Sequence, residues 1–374
     1  MKMSGTEPDE RVRLVDVANE AGVSLATISK VLNGKSDVSA GTRERVESLL
    51  AQRGYRRRSS ASSTQPELIE LVFHELDRIW SMELIDGVGS VAKEHGLSVV
   101  LTVTGDRHSP GIEWLDGVLR RRPAGVILVF SELALALRER LRSRAIPFII
   151  VDPAGDPSPD VPSVGSANWS GGLAATRHLI ELGHHRIAAI TGPDDMMCSL
   201  ARLDGFRSAM NSVGLPIDPS FERFGDFHVE GGRRIAHELL SRPDRPTAIF
   251  AGSDLQALGT LEAARSLGLR VPEDLSIVGY DDIPLCRWVS PRLTTVHQPL
   301  RQMGVEAARL VLAMGGGVGA TVAGAPVARI DLATSLVVRD SCGPPPAERA
   351  ATTSAGLLPG STVTGSRSPS TSTT

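Results

Sequence analysis

The sequence predicts two kinds of domain: a small all-α domain with a helix-turn-helix pattern, followed by a larger α/β domain of two lobes. Between residues 11 and 58, apolar residues recur at helical spacing. From Leu68 onward, short β-rich runs alternate with longer helical runs, which is typical of parallel sheets with helices on both faces. The alternation contains too many units for one sheet, and a Pro-, Gly- and Asp-rich break at 153–163 interrupts it. We therefore expect two similar lobes with a cleft between them.

Charge is distributed unevenly along the chain. Between Glu10 and Arg58 there are ten Lys or Arg and six Asp or Glu, whereas the whole chain carries a net charge of -3. A basic segment joined to an acidic body is typical of a nucleic-acid-binding module on a larger protein.

Other global features exclude several classes of protein. The three cysteines lie far apart, which suits neither a zinc site nor a disulfide framework. The polar start lacks the apolar region of a signal peptide, and no apolar run approaches the length of a membrane span. We expect a cytoplasmic, nucleoid-associated protein that has no cofactor, no metal and no membrane partner.

Composition divides the chain into five segments. The first and last are polar and lack apolar periodicity, so they are predicted to be disordered. The predicted segments are a leader at 1–10, the helix-turn-helix domain at 11–58, a linker at 59–67, the two-lobed domain at 68–340 and a tail at 341–374.

Three helices are predicted in the first domain, at about 15–21, 25–32 and 40–53. Ser24 and Ser39 precede the second and third helices as N-caps, since a side-chain oxygen there accepts from an N–H of the first turn. A glycine between the first two helices, Gly22, permits the positive φ of a sharp turn.

The second helix presents an outward face that suits the major groove of DNA. That face carries short polar, small apolar or cationic side chains: Leu25, Ala26, Ser29 and Lys30. Thr27 and Thr42 lie at helix starts, where they can contact phosphates. The competing interpretation is a plain helical hairpin, and the bare pattern does not decide between the two.

The order of the N-terminal motifs is specific. "DVANEAGVS" is followed by "TISKVLN", then "VSAGTRERV" and then "GY", and together they resemble the N-terminus of LacI/GalR-family transcription regulators. The resemblance extends over about residues 11–340, where the later segments look like that family's periplasmic-binding-protein-like core. It implies a sequence-specific repressor that binds a pseudo-palindromic double-stranded DNA operator as a homodimer. It also implies a small-molecule effector, a mono- or oligosaccharide, bound between the lobes.

By this resemblance, Leu25, Ala26 and Lys30 occupy the base-contacting positions. Lys30 can donate to a base or a phosphate, whereas Leu25 and Ala26 offer only apolar contact, for example to a thymine methyl. The full set of predicted DNA contacts adds Thr27, Ser29, Asn33, Thr42, Tyr55, Arg56, Arg57 and Arg58.

The linker departs from the family pattern. Family members usually carry a hinge helix with an Ala-Arg-x-Leu motif, whose Leu inserts into the minor groove. Here the stretch is "SSASSTQ", with Thr64 at about the position of that Leu. The apolar wedge is absent or much reduced, and Arg56 to Arg58 could compensate in part by contacting phosphates or the minor groove.

Three polar side chains are predicted to bind the effector. The family's Arg at the position of Arg202 hydrogen-bonds ligand hydroxyls. Asp281 ends a predicted strand, where open α/β sheets bind ligands, and its carboxylate can accept from neighbouring sugar hydroxyls. Ser253 occupies a place often held by Asn. A surface role for Arg202 is the alternative.

Aromatic residues are scarce, with only fourteen in the chain, so their positions are informative. Trp80, Trp169 and Phe227 fall in loops that the family directs at the cleft, where aromatic faces can stack on pyranose rings. The alternative is that each packs between helix and sheet. His74, Glu75 and Asp152 are weaker candidates of the same type. Asn168 and Trp169 together are a stronger candidate than either residue alone.

Two alternative functions compete with this interpretation. A sugar-binding module with a vestigial DNA domain would explain the missing Leu in the linker. An enzyme has little support, because no G-x-S-x-G elbow stands on a strand–helix turn and "GVGSVAKEHG" lies within a helical pattern. The chain is therefore predicted to be a regulator, and an effector that releases DNA is favoured over a corepressor.

Overall fold

The computed structural model describes residues 14–32, 38–52, 67–76, 79–105, 109–156, 158–315 and 328–346. Contacts divide the chain into two units, with the division between Gln65 and Pro66. The predicted leader and most of the predicted linker lie outside the described residues.

The first unit contains three helices: α1 (Leu14–Ala21), α2 (Leu25–Leu32) and α3 (Ala40–Gln52). They enclose one small apolar core, formed by Val17, Ala18, Ala21, Ile28, Val31, Val46 and Leu50. The predicted helices are confirmed, with bounds that agree to within one residue.

Helix starts and the sharp turn in this unit follow the predicted local chemistry. The backbone N–H of Thr27 donates to Ser24 Oγ at 3.1 Å, and that of Thr42 donates to Ser39 Oγ at 3.3 Å. Gly22 has a φ of 65°, which places the turn in the left-handed region that glycine adopts without strain. Both predicted caps are therefore confirmed.

The second unit alternates strands and helices. Its strands are β1 (Leu68–Phe73), β2 (Ser98–Val103), β3 (Gly125–Val129), β4 (Phe148–Val151), β5 (Ser163–Ser166), β6 (Ile187–Thr191), β7 (Glu222–Phe224), β8 (Ala248–Ala251), β9 (Ser276–Asp281), β10 (Thr294–His297), β11 (Arg329–Leu332) and β12 (Ser335–Val337). Its helices are α4 (Trp80–Glu94), α5 (Ile112–Arg121), α6 (Leu135–Ser143), α7 (Asn168–Glu181), α8 (Met197–Ser212), α9 (Val229–Leu240), α10 (Asp254–Ser266) and α11 (Leu300–Gly315).

Two six-stranded sheets form the two predicted lobes. The first sheet has the order β11-β5-β4-β3-β1-β2, and the second has the order β12-β10-β9-β8-β6-β7. All pairings are parallel except that of β12 with β10. In the first lobe α4 and α11 cover one face and α5 and α6 the other; in the second, α9 and α10 cover one face and α7 and α8 the other.

The chain crosses between the lobes three times, at β5–α7, β10–α11 and β11–β12. As a result α11 follows a strand of the second sheet but packs on the first sheet, with Met303, Ala307 and Val311 in its core. The lobes are interleaved in sequence rather than consecutive.

Strands β5, β11 and β12 were not predicted. They have four, four and three residues, and the latter two are only partly buried, so their apolar pattern is weak. β5 also falls at the end of the predicted break, where Pro, Gly and Asp favour loops. Sheet pairing, rather than local sequence, makes these segments strands.

Ordered structure continues past residue 340, into the predicted tail. Ser341 is buried; its hydroxyl accepts from the backbone N–H of Thr294 at 2.8 Å and donates to the carbonyl of Ile277 at 2.6 Å. The N–H of Gly343 donates to Ser276 Oγ at 3.0 Å. Residues 341–343 thus belong to the second lobe, and residues 347–374 lie outside the described ranges.

No helix within the described ranges combines the length and apolar character needed to cross a lipid bilayer.

Candidate functional site

A cavity of about 310 Å³ lies where the carboxyl ends of strands from both sheets face each other. Its lining includes His74 after β1, Phe130 after β3, Phe227 after β7 and Asp281 at the end of β9. Ligands in open α/β sheets bind at this edge, and the volume suits a small molecule.

Arg202 is the polar centre of the cavity wall. It lies on α8, is 3% exposed, and its Nε donates to Asn168 Oδ1 at 2.8 Å. Its Nη1 donates to the carbonyl of Gly252 at 2.5 Å and lies 3.9 Å from Asp281 Oδ1. The buried guanidinium therefore holds one predicted effector ligand, Asp281, in an ion pair at the cavity wall.

Two aromatic rings lie close to the Arg202 guanidinium. Its guanidinium carbon lies 3.7 Å from the ring centroid of Tyr280 and 5.5 Å from that of Phe227. Tyr280 is fully buried, and Phe227 lines the cavity. Cation–π contact at these distances favours a fixed guanidinium orientation.

Trp80 and Phe130 form a second aromatic wall. Their rings are stacked with centroids 4.8 Å apart and an interplanar angle of 28°. Trp80 is only 8% exposed and also belongs to the core of the first lobe. Sequence reasoning missed Phe130, although its place directly after the buried strand β3 is the signal that could have found it.

Backbone strain is concentrated around the cavity. Seven non-glycine residues in the described ranges have positive φ. Three of them, Phe130, Phe227 and Asp281, line the cavity, and two more, Asp152 and Asp282, line adjoining grooves. The other two, Arg122 and Ala145, lie at the ends of helices α5 and α6. Such conformations cost free energy and cluster at functional sites, where they aim side chains.

A polar junction joins the two lobes behind the cavity. Gln298, which follows β10 at the second crossing, donates from Nε2 to Asp152 Oδ2 at 2.9 Å and to Ser166 Oγ at 3.0 Å. Its Oε1 accepts from Arg202 Nη2 at 3.4 Å. Gln298 was not predicted to have a functional role. It links the lobes because the second crossing places it between them, and the local sequence does not indicate that position.

Burial raises the pKa of Asp152 from its usual 3.8 to about 6, although Arg202 and the hydrogen bond from Gln298 act in the opposite direction. The folded chain therefore binds this proton more tightly than the unfolded chain. Asp152 contributes stability at low pH, and this contribution is lost as the pH rises through about 6.

We expect Asp152→Asn to stabilise the protein above about pH 6, because the amide stays neutral where the buried carboxyl must ionise. The gain in free energy of unfolding is up to about 3 kcal/mol and shrinks towards pH 4. Urea unfolding at several pH values measures it. Asp156→Asn, at an exposed carboxylate of the same loop, is the control and should show no such pH-dependent gain. A wild-type protein as stable as Asp152→Asn at pH 8 would contradict this result.

Glu75 reaches across the mouth of the cavity. Its Oε1 lies 3.1 Å from His228 Nε2, at the start of α9 in the second lobe, and 3.3 Å from His74 Nε2 in the first lobe. This contact joins the lobes in the present arrangement. His228 was not predicted.

Of the remaining predicted effector ligands, Ser253 lines the cavity, whereas Asn168 and Trp169 do not. Ser253 caps α10 by accepting from the N–H of Gln256 at 3.1 Å, and its hydroxyl donates to the carbonyl of Phe227 at 2.8 Å. It therefore positions Phe227 as well as lining the cavity. Asn168 is 9% exposed and bonded to Arg202, behind the cavity wall. Trp169 lines an adjoining groove instead.

In the first unit, the predicted DNA-contacting face of α2 is exposed. Leu25 is 48% exposed, and Ala26, Ser29 and Lys30 are exposed as well. Thr27 and Thr42 are half-buried, with hydroxyls bonded to the caps Ser24 and Ser39. Five further predicted contacts lie outside the described residues: Asn33, Tyr55, Arg56, Arg57 and Arg58.

Within the described ranges, no group of three or more His, Cys, Asp or Glu side chains is arranged to hold a metal ion.

Comparison with known proteins agrees with both units. Residues 13–58 match the model of bacterial regulatory proteins of the lacI family, and residues 176–342 match the periplasmic binding protein-like domain. The HTH-type transcriptional regulator CelR of Thermobifida fusca is 36% identical over 318 residues, which cover 82% of this chain and 92% of that protein. The ribose operon repressor of Escherichia coli (strain K12) is 36% identical over 294 residues, covering 77% and 88%.

Solved structures show the same likeness. A CelR–cellobiose complex superposes with a TM-score of 0.66 at 34% identity, covering 88% of this chain and 100% of that chain. The lac repressor dimer bound to operator and an anti-inducer superposes with a TM-score of 0.63 at 30% identity, covering 89% and 100%. These relatives are transcriptional regulators rather than enzymes, and the predicted fold class is confirmed. The chain belongs to the LacI family of bacterial regulatory proteins.

Proposed function

We propose that this protein is a transcriptional repressor whose affinity for a DNA operator is controlled by a neutral saccharide bound in the cavity between the lobes. Residues 11–58 bind DNA, residues 59–67 form the hinge, and residues 68–340, extended by residues 341–343 of the second lobe, form the effector-binding and dimerisation domain. The repressor acts in the cytoplasm, at the nucleoid.

The side chains that line the cavity indicate the chemical class of the effector. Aromatic rings on both lobes offer flat apolar faces, while Arg202 and Asp281 offer a donor and an acceptor for hydroxyl groups. Three carboxylates line the cavity, those of Glu75, Asp226 and Asp281, together with the guanidinium of Arg202 and the imidazoles of His74 and His228, which both contact Glu75. This acidic balance disfavours phosphorylated sugars and nucleotides, since burying a like charge is costly. Complexes of relatives with cellobiose and with ribose support a saccharide.

A homodimer is proposed from the relatives and from an exposed side chain. The lac repressor, a structural neighbour, is a dimer on its operator. Trp288 of the second lobe is 77% exposed, more than any other large apolar side chain in the described ranges. Tryptophan is enriched at protein–protein interfaces, so Trp288 is the side chain proposed to lie in the dimer contact. Each protomer would supply one α2 to half of a pseudo-palindromic site.

The effector is proposed to act as an inducer. A saccharide that prefers one arrangement of the lobes shifts the protein towards it, and saccharide and operator affinities are then coupled reciprocally. A thermal-shift screen of mono- and oligosaccharides identifies the ligand, because a compound that binds only the folded state raises its stability. Titration of the operator complex with that saccharide then gives the sign of the coupling. Tighter operator binding would make the saccharide a corepressor.

Lys30→Ala is expected to weaken operator binding by about ten- to a hundredfold, because a base contact is worth about 1–3 kcal/mol. The operator is first selected from random duplex DNA with the full chain, and affinities are measured by gel shift at fixed salt. Lys93→Ala removes an exposed lysine of α4 in the second unit and serves as the control, with unchanged affinity.

Two results would count against this assignment. If Lys30→Ala binds the selected operator as tightly as the wild type, α2 does not read DNA through Lys30. If the wild type selects no sequence but still binds a saccharide, the chain is a sugar-binding module with a vestigial DNA domain.

A further inference from the structure

A second groove lies beside the effector cavity. It has a volume of about 320 Å³ and shares Cys198 with the cavity. We call it the Trp169 groove; the lining residues that matter here are Asp156, Trp169, Met197, Arg329 and Asp331. Residues of both lobes line it, as they line the cavity, so a ligand there would also join the lobes.

One wall of the groove is apolar and exposed. Trp169 in the first turn of α7 is 46% exposed, and Met197 in the first turn of α8 is 39% exposed. Trp80 and Trp114, which pack between helix and sheet, are each only 8% exposed. Packing therefore does not explain the position of Trp169, whose indole offers a flat face to the groove.

Another part of the groove lining is polar and carries both signs of charge. Asp331 and Arg329 alternate with inward residues on β11, and Arg329 Nη1 lies 3.7 Å from Asp156 Oδ1. At Gly165 the absence of a side chain leaves room for two carboxylates: an added Cβ would lie only 2.9 Å from Asp331 Oδ1 and 3.4 Å from Asp152 Oδ1. The groove lining thus combines carboxylate acceptors, a guanidinium donor and an exposed indole.

We propose that the Trp169 groove binds a hexopyranose unit, with its apolar face on the indole and its hydroxyls on Asp331, Asp156 and Arg329. A polyol uses acceptors and a donor together, which this wall supplies. A metal cation would be repelled by the guanidinium of Arg329. An anion would be repelled by the three carboxylates of Asp152, Asp156 and Asp331. This proposal rests on the saccharide effector proposed above, and it extends the recognised ligand beyond the cavity.

The hexopyranose unit could come from two sources. It is either the far end of an oligosaccharide whose near end occupies the cavity, or a second sugar molecule. Isothermal titration of the full chain with cello- and malto-oligosaccharides of one to four units distinguishes them. With one long effector, affinity rises at least tenfold from two to four units at one site per chain. With two molecules, the disaccharide itself binds at two sites per chain.

Trp169→Ala is the decisive variant. It should abolish the gain with length, or reduce two sites to one, while disaccharide affinity in the cavity stays within about twofold; Trp169→Phe should retain part of the effect. Leu135→Ala, at a 57% exposed apolar residue of α6 away from both pockets, should change neither. Far-UV circular dichroism and thermal unfolding check that each variant is folded.

The contrary outcomes distinguish failure of the proposed saccharide effector from failure of the groove proposal. If no saccharide binds at all, the proposed effector class fails, and this inference fails with it. If a saccharide binds at one site with no gain from length and Trp169→Ala changes nothing, only the groove proposal is overturned. If a folded Trp169→Ala loses disaccharide binding altogether, Trp169 belongs to the cavity and the groove is not a separate subsite.

Discussion

Replacing Arg202 with Met is expected to lower the free energy of unfolding by about 3–5 kcal/mol and to abolish saccharide binding. Met matches much of the apolar volume but removes the charge. Asp281 would then keep a buried carboxylate without the guanidinium 3.9 Å away, and Asn168 and the carbonyl of Gly252 would each lose a donor. Breaking a buried ion pair from one side costs this much because the remaining charge stays buried.

Urea unfolding of the effector-free protein measures the stability loss. Arg207→Met is the comparison on the same helix. Arg207 is 42% exposed and donates two hydrogen bonds to Glu222, which is 13% exposed, so a smaller loss of about 1–2 kcal/mol is expected. Adding Asp281→Asn to Arg202→Met should restore part of the stability, since it removes the buried carboxylate that has lost the Arg202 guanidinium. Equal losses for Arg202→Met and Arg207→Met would contradict the central electrostatic role of Arg202.

Ending the chain after Asp340 is expected to destabilise the second lobe by about 3 kcal/mol or more. The truncation removes Ser341, whose backbone and side chain bond Ile277 and Thr294 of neighbouring strands. It also removes the carbonyl of Gly343, which lies 2.9 Å from Nε2 of the buried His184. Each buried donor or acceptor left without a partner costs about 1–3 kcal/mol.

A second truncation separates this effect from loss of the polar tail. A chain that ends after Pro346 keeps all of these contacts and should unfold at the same temperature as the full chain. Calorimetry of the two truncated proteins gives the comparison. If the chain ending after Asp340 is as stable as the longer one, residues 341–343 are not part of the folded lobe.

Elements that depend on interactions between residues close in sequence were predicted correctly. The helices of the first unit were predicted to within one residue, because Ser24, Ser39 and Gly22 act on backbone groups within a few residues of themselves. The longer strands and helices of the second unit were predicted for a similar reason, since their apolar periodicity is continuous.

The candidate site was only partly accessible to the same reasoning. Arg202, Asp281, Phe227 and Trp80 were predicted to line the cleft, and the structure brings all four to one cavity. Their assignment as effector ligands stays a prediction. Trp169 was grouped with them because the family resemblance directs its loop at the cleft, yet in the structure it lines the adjoining groove.

Sequence alone determined the two-domain order, the exposed face of α2 and the residues at the ends of the long strands. These features depend on periodicity, caps and strand ends, and short stretches of sequence determine all three. Tertiary structure decided the crossings between lobes, the position of Gln298 between Asp152 and Arg202, and the separation of Trp169 from the cavity. They depend on contacts between residues far apart in sequence, such as the 146 positions between Gln298 and Asp152, and no local pattern encodes such a contact.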